Sequence, residues 1–64
     1  MNYRDGVLER EALELCALLV SEEAGRLNRA QVFAATDRVD EVCRLVGVSR
    51  ADLIARARDI VGGK

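Results

Sequence analysis

The feature that most constrains this chain is a helical stretch too apolar for a single neighbour to cover. Residues 7–24 are dominated by the strong helix formers Leu, Glu, Ala and Arg. At about 100° per residue, Leu8, Ala12, Leu13, Leu15, Cys16, Ala17, Leu19, Val20 and Ala24 sweep an arc of roughly 200°. A helix with one buried face needs about half of that. Glu9 and Glu23 fall inside the arc, but near the helix ends, where a carboxylate reaches water. The middle of this helix is therefore expected to be covered from two directions.

Few resources are available to cover it. The chain has 64 residues, one domain near the lower limit for folding alone. Half of them are apolar and a third are charged, the balance of a globular chain. Tyr3 and Phe33 are the only aromatic residues, so the core must come from Leu, Val, Ile and Ala. Such a core rarely supplies more than about 3–5 kcal/mol, and a chain this small needs a staple, very close helix packing or a partner. Cys16 and Cys43 are the only cysteines and there is no histidine, too few ligands for a tetrahedral zinc site. Both thiols lie among apolar residues and are expected to be buried and reduced. No signal-peptide pattern precedes the first helix, and the longest apolar run, residues 15–20, is too short for a bilayer. A cytoplasmic location follows as the expectation, with no membrane partner, cofactor or small-molecule substrate.

The rest of the chain reads as helices with short connections. Asn28 and Gln31 have capping-box spacing. Val32, Ala35, Val39, Val42, Cys43 and Val46 then form a stripe about 100° wide if one helix runs over residues 29–46. Phe33 and Leu45 lie off that stripe, and Thr36-Asp37 could cap a new helix, so a break or bend at Thr36-Asp37 is favoured. Gly47 is expected to end this segment in a left-handed conformation, with Val48 folding back toward Cys43. Ser49 with Asp52 caps the last helix, over residues 50–61, where Leu53, Ile54, Ala57, Ile60 and Val61 share an arc of about 120°. Gly62-Gly63 ends it and Lys64 complements its dipole. All five glycines are read as lying where helices start or stop. The predicted architecture is all-α, a single domain of three to four short helices in which sequential neighbours pack together.

Catalysis is poorly provided for. Without histidine, Ser–His and Cys–His nucleophiles are impossible within one chain, and the glycines form no phosphate loop. The net charge is −1 but polarised. Residues 1–25 carry two arginines against six carboxylates, and residues 26–64 carry eight basic residues against five carboxylates. Glu11, Glu14 and Glu22 line one side of the first helix as an acidic strip, interrupted by Leu18, that a basic partner could read.

The most specific local pattern lies in residues 41–58. Cys43 stands four positions before Gly47-Val48-Ser49, and Leu53 six positions after the glycine. This segment resembles the turn of helix-turn-helix DNA-binding proteins. The resemblance implies Ser49, Arg50 and Ala51 at the groove, with Arg56 and Arg58 near phosphates. Against that reading, Ile54 stands where such helices present a small or polar residue, Asp52 would face phosphates, and the isoelectric point is about 5.3.

Protein binding therefore ranks first and DNA binding second. The expected module is non-catalytic and self-associating, an adaptor, inhibitor or regulatory subunit. Its interface is expected to draw on Leu8, Leu15, Leu18 and Leu19 with Glu11, Glu14 and Glu22. Whether the flank left uncovered is Leu8, Leu15 and Leu19 or Leu13, Ala17 and Val20 stays open to periodicity.

Overall fold

In the computed structural model, which describes residues 3–63, the chain forms three α-helices and one short 3-10 helix, with no strand among the described residues. Helix α1 is Tyr3–Val20, the 3-10 turn is Glu22–Arg26, α2 is Arg29–Val46 and α3 is Arg50–Gly62. The all-α bundle expected from the periodicity is the fold observed.

Several boundaries differ from expectation. Helix α1 begins at Tyr3, so Gly6 lies inside it rather than before it. Asp5 in the first turn favours that early start by facing the positive end of the dipole. The helix ends at Val20, short of Ala24. There the Ser21 hydroxyl donates to the Leu18 carbonyl at 2.7 Å and the Ser21 amide reaches the same oxygen at 3.2 Å, a side-chain competitor for the helical ladder. Glu22 and Glu23 would sit at the negative end of α1 if it continued. They sit instead in the first turn of a new helix, where the dipole welcomes them.

The capping box that opens α2 forms as expected. Asn28 Oδ1 accepts from the Gln31 amide at 2.8 Å, and Gln31 Oε1 accepts from the Asn28 amide at 2.9 Å. The break expected at Thr36-Asp37 does not occur, because α2 is continuous to Val46. Phe33 and Leu45 are left 73% and 61% exposed rather than turned inward by a bend. Gly47 closes the helix at φ 75°, its amide donating to the Cys43 carbonyl at 2.9 Å. Ser49 Oγ accepts from the Asp52 amide at 3.0 Å and opens α3, while the Asp52 carboxylate turns to Arg56. Helix α3 runs through Gly62, and Gly63 follows at φ −78°, so this end is not a left-handed stop. Lys64 lies outside the described residues.

Packing centres on α1. Helices α2 and α3 both lie against it and scarcely touch each other, so the expectation that sequential neighbours pack together holds for α1 with α2 and not for α2 with α3. The buried cluster takes Ala12 and Cys16 from α1, Val39 and Val42 from α2, and Leu53 and Ala57 from α3. Small side chains at positions 12 and 16 let both neighbours come close. Leu8, Leu13, Leu15, Ala17 and Val20 are half-buried around that centre. The wide arc of α1 is therefore shared between two helices, and both of its flanks are half-buried rather than fully exposed. The molecule measures 34 × 29 × 17 Å. Its thin dimension admits two helical layers at an interaxial spacing of about 8–10 Å, and not three.

Two glycines give the same substitution opposite signs. A Cβ at Gly6 or at Gly47 would meet nothing within 4 Å, so backbone conformation alone decides. Gly6→Ala, inside a helix, should stabilise by about 0.5–1 kcal/mol. Gly47→Ala, at positive φ, should destabilise by more than about 1 kcal/mol. Thermal melts of the two variants beside the parent check both; an unchanged Gly47→Ala melt would contradict the left-handed stop.

Candidate interaction surfaces

The leucines expected to form an interface are distributed over three concavities. Leu15 and Leu18 line a groove of about 460 Å³ between α1 and α2, facing Leu27, Ala34 and Ala35. Glu11 and Arg38 also line it. Leu8 lies in a smaller cleft of about 210 Å³ with Arg4, Asp5 and the exposed Leu45. Leu19 lines a third cleft of about 250 Å³, where Val20, Val32, Arg50 and Ile54 bring all three helices together. Ile54, which the helix-turn-helix resemblance would present to DNA, is half-buried against the core.

The acidic strip is altered by the fold. Glu11 is not a free carboxylate: Arg38 Nε donates to its Oε2 at 2.6 Å and Nη2 to its Oε1 at 3.1 Å. This is the two-pronged geometry in which guanidinium binds carboxylate best. The remaining Arg38 nitrogen, Nη1, reaches Glu41 Oε1 at 2.5 Å, so one side chain ties α1 to α2 and braces the next turn of its own helix. These bonds hold the Glu11 carboxyl below the usual range and raise the Arg38 guanidinium further still. Glu14 remains exposed on α1, and Glu22 is exposed on the 3-10 turn rather than on α1.

The arginines expected at a DNA surface are largely committed within the molecule. Arg50 pairs with Asp40 at 3.3 Å. Arg56 pairs with Glu9 at 3.3 Å and with Asp52 at 3.7 Å. Glu9, expected in water at the helix end, is instead largely covered, its side chain 19% exposed. Ser49 is occupied as a cap, Ala51 is exposed, and Arg58 has no ion-pair partner among the described residues.

Cys16 is buried in the core and Cys43 is half-buried, both as free thiols. Burial pushes both thiols up, which keeps them protonated and weak as nucleophiles. No group of three His, Cys, Asp or Glu side chains that could hold a metal ion occurs among the described residues, and no helix there is long and apolar enough to cross a membrane.

Sequence reasoning missed the role of Arg38, whose partner Glu11 is 27 positions away. It also read Phe33 as a sign of a bend, where the structure presents it as an exposed aromatic side chain. No family model, curated protein or solved structure matches the chain.

Acid should loosen the α1–α2 tie in a defined direction. Glu11 is held below its ordinary value by Arg38. The stability it contributes is present above the unfolded carboxyl value of about 4.3 and is lost as pH falls through the lower folded value. Melting temperatures of the parent should fall across that acid range, and those of Glu11→Gln should fall less. Identical acid limbs would show that the pair contributes nothing to stability.

Proposed function

We propose that the chain is a small non-catalytic protein–protein interaction module, self-associating in the cytoplasm and serving as an adaptor, inhibitor or regulatory subunit. The observation that carries this reading is the imbalance between inside and outside. Among the described residues the largest fully buried side chains are Leu53, Val39 and Val42, whereas Phe33, Leu45, Ile60 and Val7 are each about half exposed or more. Covering side chains of that size is worth roughly 1.5–3 kcal/mol each, comparable to what a domain this small gains from its core. The total surface supports the same reading. At 4789 Å² it exceeds the roughly 4,000 Å² usual for a monomer of this mass. Free thiols at Cys16 and Cys43 favour a reducing compartment.

The measurement that tests self-association is sedimentation equilibrium together with melting at several concentrations. A melting temperature that climbs with concentration, as mass action requires of an oligomer, is the expected result. A folded monomer at tens of micromolar with a concentration-independent melt would defeat it.

DNA binding is the second reading, favoured by one observation. The left-handed Gly47 and the Ser49 cap join α2 to α3 through the short turn that resembles a helix-turn-helix in sequence, and both helices pack on α1. On this reading Arg58 and Arg50 would carry the contacts, with Arg50 first exchanging Asp40 for the nucleic acid. Retardation of duplex DNA at low salt, weakening steeply as salt rises, would place this reading first. No retardation at low salt would remove it.

A further inference from the structure

We propose that the open face of the α1/α2 pair, the side opposite α3, is where a second copy of this chain docks, each α1 lying over the partner copy's α2 to form a four-helix bundle. This rests on the self-associating reading above and adds the surface and the register; of the exposed side chains behind that reading the face takes in Leu45, whereas Phe33 and Ile60 lie outside it. The groove holding Leu15 and Leu18 is lined from α1, α2 and Leu27, with no α3 residue among its walls. In a molecule 17 Å thick, α3 supplies the second layer on one side of α1 and α2. The other side has no layer among the described residues.

The spacing on this face is that of a bundle seam. Positions 8, 11, 15 and 18 of α1 line clefts shared with α2, and their steps of three and four residues are those of heptad a and d positions. Positions 31, 34, 38 and 45 of α2 line the same clefts and follow the same rule, with one step skipped. The seam has leucines toward both ends, Leu18 with Leu27 at one and Leu8 with Leu45 at the other, and carries the Glu11–Arg38 pair between them.

Two face-to-face arrangements have two-fold symmetry, and two observations choose between them. With the axis running along the helices, α1 covers the second copy's α2. Leu15 and Leu18 then lie over the second copy's Ala34 and Ala35, large over small, so that the layers interdigitate. Glu11 lies over the second copy's Arg38, and Arg38 over its Glu11, giving a closed ring of alternating charge. With the axis across the helices, α1 covers α1 running in the opposite direction. An axis at the Leu15–Leu18 layer then sets leucine over leucine and alanine over alanine, and an axis at the Glu11 layer sets Glu11 over Glu11. Size and charge both select the first arrangement.

The full chain tests this directly. Leu18→Glu and Ala34→Glu place a charge on the open face at positions outside the buried cluster. Each should weaken the dimer by about 30-fold or more, the scale of a hot-spot loss, with helical circular dichroism retained. Phe33→Glu, on a different side of α2, should leave the dimer intact. Register is read by mixing Leu18→Cys with Ala34→Cys under mild oxidation. The mixture should form a disulfide-linked dimer faster than either variant alone. A dimer lost in Phe33→Glu and kept in Leu18→Glu and Ala34→Glu would overturn the face while leaving self-association standing. Faster cross-linking of Leu18→Cys with itself would overturn the register. A parent chain that stays monomeric throughout would overturn this proposal together with the reading beneath it.

Discussion

Everything in this molecule depends on how closely two helices approach the first. Ala12 and Cys16 form a small-residue strip along the middle of α1, and against it sit Val39 and Val42 from one neighbour and Leu53 and Ala57 from the other. With larger side chains at 12 and 16, α2 and α3 could not share one line of contact. The leucines of α1 then act as flanks, half-buried on either side of the strip. A helix apolar over more than half its circumference is thus no excess of hydrophobicity. It is the condition for a core assembled around one helix by two others that barely meet.

Polar groups finish what the thin core leaves open. The long-range ion pairs connect the elements in turn: Glu11 of α1 with Arg38 of α2, Asp40 of α2 with Arg50 of α3, and Glu9 of α1 with Arg56 of α3. Each is partly exposed, and exposed pairs are individually weak. Their importance lies in geometry, because the bidentate Glu11–Arg38 contact fixes the register of α1 against α2 in a way that sliding aliphatic contacts do not. The same commitments remove most of the cationic character that α3 shows in the sequence.

What the sequence disclosed and what it withheld divide along physical lines. Local chemistry was readable: the Asn28–Gln31 box, the left-handed Gly47 and the Ser49 cap all depend on residues within a few positions of one another. The stripe on α2 likewise pointed Val39 and Val42 inward. Boundaries set by competition were harder. The early stop of α1 turns on the Ser21 hydroxyl against its own backbone, and the unbroken α2 turns on whether exposing Phe33 is less costly than bending a helix. Long-range pairing was out of reach, since nothing near Glu11 indicates Arg38. For the surfaces, Leu15 and Leu18 were picked out by periodicity, but not that Leu8 would lie in a separate cleft or that Leu19 would turn toward the meeting point of all three helices.

The arrangement of spokes around α1 has a consequence for how the molecule opens. Since α2 and α3 meet chiefly through α1, with the exposed Asp40–Arg50 pair and the three-residue turn as their direct links, either can detach at little cost to the other. Release of α3 uncovers Leu53 and Ala57 and gives up their contacts, but it leaves α1 and α2 clasped by Arg38. Detaching α1 leaves nothing assembled. Local openings of this kind are graded by what each unit holds in place. The amides of α1 are therefore the last to exchange with solvent deuterium, those of α2 come next, and those of α3 exchange through a partial opening well below the global barrier.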